Sequence, residues 1–210
     1  AEVMDLLACH MEPPLGGLRD VRLPIKRAQL GVQLEIEQVL DVREVAELCG
    51  RAYEYWLRLT SDSPRIERLL SDVTDLRPLA RVIDEAIDER GKIRDDATAE
   101  LASIRAELAE WEARIAKEIA KLLRQAEVRS ALRYPQATMS GDHHVLPVAV
   151  NHRHKVAGVV HRTSASGETV YIEPTKVAEY SAEMSLLRSA EQREIRRVLR
   201  RLTDAIASKG

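Results

Sequence analysis

Phenylalanine is absent from the 210-residue sequence, and aromatics together make up only 3% of it. A compact globule usually recruits more aromatic bulk, whereas an excess of Leu, Ala, Glu and Arg suits long helices. Cysteine is nearly absent too. Cys9 and Cys49 are far apart and belong to no CxxC spacing, which argues against a disulfide framework and points to reduced core thiols of a cytoplasmic protein. No apolar run approaches the roughly 20 residues of a membrane span, and the first residues lack the basic start and apolar core of a signal peptide. Neither sign of charge dominates: 31% of residues are charged but the formal net charge is −2. Bulk attraction to a polyanion is therefore excluded, and any nucleic-acid affinity must come from local patches. There is no GxxxxGK[ST] and no GxGxxG, so the chain carries no phosphate-cradling loop of its own.

Helical patterns fill most of the chain. Residues 1–95 predict a helical core broken by loops, among them the turn-rich stretch Glu12 to Asp20. Leu34 to Leu59 has helical apolar spacing, Pro64 sits at a favoured first helical position, and Leu76, Leu79, Val82, Ile83 and Ile87 continue the pattern to Gly91. From Ala97 to about Arg133 no Pro or Gly interrupts. On a helix Leu101, Ile104, Leu108, Trp111, Ile115, Ile119, Leu122 and Ala126 fall within an arc of roughly 80°, narrower than an ordinary core face and closer to a coiled-coil seam. A four-residue step from Ile115 to Ile119 resembles a stutter, and the helix would be roughly 50 Å long. Val177 to about Ala207 forms its mate, with Met184, Leu187, Ile195, Val198, Leu202 and Ile206 on one face. The two are expected to pair antiparallel, because neither is stable in water with such a face exposed.

Between them lies a β-rich insertion. His144–Val150, Val156–Arg162 and Glu168–Ile172 read as a three-stranded antiparallel meander with turns at NHRHK and TSASG, Gly167 supplying a positive φ. Pro147 is expected on an edge strand. The expected fold is thus mainly α: a helical core (1–95), an ascending helix (96–135), a small antiparallel β tip (136–176) and a descending helix (177–210).

Five of the six histidines, His143, His144, His152, His154 and His161, sit in the insertion. His152 and His154 alternate, but neither Cys nor HExxH spacing accompanies them, so no metal site is expected. Ser164, Ser166 and His161 lack a nearby Asp to orient a base, so no catalytic residue is expected either. Glu173-Pro174 reads as a strand-ending cap. Arg193, Arg196, Arg197, Arg200 and Arg201 share one helix face, which is either solvated and paired to neighbouring Glu or a phosphate or interdomain contact.

Two stretches carry a resemblance: GGLRDVRLPIKRAQLG at Gly16–Gly31 and VLPVAVNHRHKVAGVVHRTSASGETVYIEP at Val145–Pro174. They resemble the second bacterial branch of the MutS superfamily, MutS-like ATPases that often end in a small Smr nuclease domain. The second motif matches at His161, Thr163, Ser164, Ser166, Gly167, Thr169, Ile172, Glu173 and Pro174. The resemblance implies that the four segments are core, ascending lever, clamp and descending lever of a longer protein, an expectation that the missing initiator Met also suggests. It implies a cytoplasmic homodimer whose clamps embrace branched DNA or a collided ribosome, in anti-recombination or ribosome rescue. ATP and Mg would be bound only in an ATPase domain outside this segment, which needs no cofactor itself. Around the first clamp strand the family tends to carry Arg, an aromatic and Lys, where His143, His144 and Ala149 stand here. Candidate nucleic-acid contacts are Arg153, Lys155, Arg162, His143, His152, His154 and Lys176. The competing expectations are a mechanical spacer and dimerisation rod without nucleic-acid contact, and a metal-dependent hydrolase, which the lack of carboxylate clusters in the insertion disfavours.

Overall fold

A computed structural model describes residues 2–8, 13–14, 16–59 and 63–209. The protein is mainly α with one small four-stranded antiparallel sheet. It divides into two compact units, one of Ala1–Leu101 with Glu194–Gly210 and one of Ala102–Arg193. Among the described residues no helix is long and apolar enough to cross a membrane. Cys49 is a free, half-buried thiol whose pKa is pushed up by burial, and Cys9 lies outside the described residues.

The first unit is built from α1 (Glu2–Ala8), α2 (Arg22–Gln29), α3 (Ile36–Leu57), α4 (Pro64–Leu70) and α5 (Arg77–Asp84), with the start of α6 (Ala99–Arg124) and the end of α8 (Thr175–Ala207). Its core joins Leu34, Val39, Val42, Leu79, Ile83, Ile87, Ile93 and Leu101 to Val198, Leu202 and Ile206. Helix starts follow local chemistry. Glu35 and Gln38 form a capping box on α3, α4 has a proline in its first turn, and the Thr98 hydroxyl accepts from the Leu101 N–H at 3.0 Å to cap α6. The pattern that predicts helix up to Gly91 ends early, at Asp84: Ile87 and Ile93 instead form an isolated antiparallel bridge whose side chains stay in the core.

Gly50, in the middle of α3, has a packing reason. A Cβ there would press on Cγ and Cδ of Arg77, whose guanidinium is held by Asp75 at 2.7 Å and by Glu54. The hydrogen bonds from Arg77 keep the Asp75 carboxyl down at about 2. Gly50→Ala is therefore expected to lower the melting temperature by a few degrees, although Ala is the better helix former. A thermal melt that rises instead would show that Arg77 relocates freely.

In the second unit α6 and α8 run antiparallel. Arg105 reaches Glu191 at 2.8 Å, and the rings of Trp111 and Tyr180 meet at a tilt with centroids 5.3 Å apart. Ile104, Leu108, Ile115 and Ile119 bury against Val177 and Met184. The seam is not continuous along both helices: Leu108 belongs to this cluster, whereas Val198 packs with Leu101 in the first unit. Nor does the ascending helix run on to Arg133. It stops at Arg124, Gln125 turns extended, and a separate short helix α7 (Ala126–Ala131) follows. At 26 residues α6 spans about 39 Å. The break lets Val128 and Ala131 cover the sheet, packing on Leu146, Val148, Val170 and Ile172.

The sheet has four strands, β1 (Thr138–Ser140), β2 (His143–Ala149), β3 (Gly158–Thr163) and β4 (Thr169–Pro174), in the order β1-β2-β4-β3. This corrects the three-stranded meander. The NHRHK segment is a 3₁₀ turn (Val150–Lys155) that carries the chain past β4, so β2 pairs with β4 rather than with β3, the next strand in sequence. β1 covers only His143–Val145 of β2. At Pro147 the outer side of β2 faces the chain after α7, whose Arg133 N–H donates to the Pro147 carbonyl at 2.9 Å. The missing proline N–H points to that same side and breaks no bond to β4.

Candidate functional site

The clearest constellation lies where β2, β3, β4 and the first turns of α8 meet. Glu173, on β4, is only 2% exposed. A carboxylate taken so far out of water is costly unless hydrogen-bonded, and here both oxygens are engaged. Oε1 accepts from the Ser181 hydroxyl at 2.6 Å, and Oε2 lies 2.7 Å from His161 Nε2 and 3.0 Å from His143 Nδ1. Burial pushes the Glu173 pKa up, but the bonds from Ser181 and His161 and the nearby His143 together pull harder, and the net shift is downward. The two imidazoles lie tilted against each other with centroids 4.3 Å apart. His143 Nδ1 is near enough to attract the carboxylate electrostatically. It is nonetheless a buried atom without a hydrogen-bond geometry to any partner among the described residues.

The backbone explains how His161 comes to face Glu173. Val160 pairs with Ile172 and Arg162 with Tyr171, so His161 is the extra residue of a β-bulge. Bulges re-aim a side chain out of the regular alternation, and this one sets the ring beside the carboxylate of the adjacent strand. Ser181 arrives from the second turn of α8, eight residues after Glu173. Sequence reasoning overlooked both Ser181 and the anchoring role of Glu173. The one available signal was an ionisable residue inside a strand otherwise written VYI-P.

The other motif residues form the β3–β4 turn. The Gly167 N–H donates to the Ser164 carbonyl at 2.9 Å with Gly167 at φ 72°, and the Thr169 N–H donates to the Ser164 hydroxyl at 3.1 Å. Ser166 lies 3.3 Å from Ser164 and is exposed. Pro174 is buried and ends β4 directly before α8. Neither serine hydroxyl is held by a histidine, so the arrangement is a folded turn without a nucleophile–base pair.

Basic groups gather elsewhere in the same unit. Arg153 and His154 are exposed on the 3₁₀ turn, with His152 and Lys155 half-buried beside them. Lys155 Nζ donates to Ser130 of α7 at 3.2 Å, which sets the turn against the helix bearing Arg129. Arg162 lies over the Tyr171 ring at 3.7 Å. Lys176 is exposed at the start of α8.

The arginine face of α8 is divided. In the first unit Arg197 pairs with Glu100 at 3.0 Å and Glu194 at 3.1 Å, Arg200 donates to the Gly31 carbonyl at 2.9 Å, and Arg201 reaches the Ala97 carbonyl at 3.4 Å. Arg196 is exposed there, as is Arg193 in the second unit.

No protein-family model matches the chain. Among curated proteins it is 33% identical to the Endonuclease MutS2 of Brevibacillus brevis over 196 residues, which is 92% of this chain and 25% of that protein. It is 34% identical to the Endonuclease MutS2 of Thermomicrobium roseum over 196 residues, 92% of this chain and 24% of that protein. With the Endonuclease MutS2 of Pelotomaculum thermopropionicum it shares 33% identity over 192 residues, again 91% of this chain and 24% of the relative. The chain thus spans about a quarter of the length of the relatives it matches. Similarity at this level over nine-tenths of its length makes the chain a member of the MutS superfamily.

Proposed function

We propose that this chain is the core, lever and clamp segment of a MutS-like ATPase, non-catalytic in itself, whose β tip binds the phosphate backbone of branched DNA or ribosomal RNA. The observation that carries this reading is the contact of the 3₁₀ turn with α7. It sets the turn that bears Arg153 and Lys155 against the helix that bears Arg129, and none of the three is ion-paired to a carboxylate among the described residues. Unpaired cations held on neighbouring short elements suit the sequence-independent reading of phosphates. Arg162, stacked on Tyr171, adds a flat cationic surface of the kind that stacks on unpaired bases. On this reading α6 and α8 are the levers, ATP hydrolysis and any endonuclease activity belong to other parts of the parent protein, and the parent acts as a cytoplasmic homodimer.

The test is salt-dependent binding of the 210-residue chain to a four-way DNA junction and to a structured RNA. Replacing Arg153 and Lys155 together with Ala is expected to weaken binding to every sequence alike. Each lost phosphate contact lowers the salt slope by about 0.9 on duplex DNA, so the double variant loses about 1.8. An unchanged slope removes the 3₁₀ turn from the interface. The engagement of Arg197, Arg200 and Arg201 within the first unit favours a second reading, a mechanical spacer. That reading expects no binding by the unaltered chain even at low salt.

A further inference from the structure

We infer that His143, His161 and Glu173 form a binding site for one first-row transition-metal dication, Zn²⁺ being the representative ion. Two imidazole nitrogens and one carboxylate oxygen, drawn from three adjacent strands, lie within 4.8 Å of one another. This is the donor number of a site with three protein ligands and one position left for water. Nitrogen-rich donors select zinc, cobalt, nickel or copper over magnesium and calcium, which prefer all-oxygen shells.

Three features distinguish the cluster from an ordinary buried ion pair. His143 Nδ1 is a buried ring nitrogen without a hydrogen-bond partner, so it already has the desolvated, unsatisfied lone pair or N–H that a metal would resolve. Ser181 holds the second oxygen of Glu173 at 2.6 Å, the outer-shell bond that fixes a ligating carboxylate. The two rings lie with centroids 4.3 Å apart, so a nitrogen of each reaches the same oxygen of Glu173.

The fit requires a small expansion. Metal–ligand distances of about 2.0–2.2 Å in a tetrahedral shell separate the ligand atoms by about 3.3 Å. His161 and Glu173 therefore part by about 0.6 Å from their present 2.7 Å, and His143 and Glu173 by about 0.3 Å from 3.0 Å. The His143 side chain is 44% exposed, so it can swing and also gives the ion a way in. His161 would ligate through Nε2 with its ring proton on Nδ1, and His143 through Nδ1 with its proton on Nε2.

The experiment titrates chelator-treated 210-residue chain with zinc chloride by calorimetry and with cobalt chloride by visible absorption. One ion per chain and the visible bands of a four- or five-coordinate cobalt centre are expected, with a rise in melting temperature. His143→Arg places a hydrogen-bonding cation beside Glu173 but removes a ligand, so it is expected to retain the fold by circular dichroism and bind at least about tenfold more weakly. The double variant His152→Ala/His154→Ala is expected to bind as the unaltered chain does. Absence of heat and of cobalt bands at saturating metal overturns the proposal, as does equal binding by His143→Arg or loss of binding in the double variant.

Discussion

Gly158→Ala is expected to destabilise the second unit by about 3 kcal/mol or more. Gly158 opens β3 opposite Pro174, at the point where the chain crosses closest to β4. A Cβ built there lies 2.8 Å from the Glu173 carbonyl carbon, 2.9 Å from the Pro174 Cα and closer still to the Glu173 carbonyl oxygen. All three are backbone atoms of β4, so none can turn aside as a side-chain tip would. The strands must part, and the pairing of Val159 with Glu173 goes with them. Urea denaturation checks this through the midpoint. A loss below about 0.5 kcal/mol, the range of an ordinary surface change, would show that β3 slides without cost.

Glu173→Ala is expected to cost about 3 kcal/mol, because it strips a buried group of its partners and leaves their polar atoms unsatisfied. Ser181 on α8 and His161 on β3 each lose an acceptor in the interior, and a cavity opens between strand and helix. Ser181→Ala removes one of those bonds only and is expected to cost about 1 kcal/mol. The same network gives a pH signature in the presence of chelator. His143, His161 and Ser181 are the groups facing the carboxylate, and the folded-state Glu173 pKa lies below its ordinary 4.5. Its contribution is therefore complete above the ordinary carboxylate range and is lost as pH falls through the lowered value. The stability gap between unaltered chain and Glu173→Ala is expected to narrow under acid, leaving the part due to the cavity. A gap that does not narrow at all would trace the effect to packing instead of charge.

Much of this architecture is readable from spacing alone. α8 follows from a long stretch without Pro or Gly whose apolar residues recur at helical intervals, and α3 and α4 follow from the same rule plus Pro64. The β3–β4 turn follows from Gly167, because few other residues sit comfortably at φ 72°. The break at Gln125 is different. Neither Pro nor Gly marks it, and Ala126 fits the helical stripe. After the break Val128 and Ala131 bury their side chains against the sheet, a contact between residues far apart in sequence that local spacing does not encode. Strand order was equally hidden, since β2 and β3 are neighbours in sequence and a hairpin is the default expectation. The functional candidates divide in the same way. The basic turn is plain in NHRHK, whereas its pairing with α7 through Lys155 and Ser130 depends on how the chain returns.

Local periodicity and turn chemistry were enough to say which segments are helix and which are strand, since both act between residues a few positions apart. The family motif added that the β tip belongs to a MutS-like chain. Only the tertiary structure decided that Glu173 is a buried anchor, that His161 is turned towards it by a bulge, and that His143 and Ser181 complete the cluster. Burial and hydrogen bonding are properties of groups brought together in space, and these four residues lie on three strands and a helix whose mutual placement no short stretch of sequence specifies.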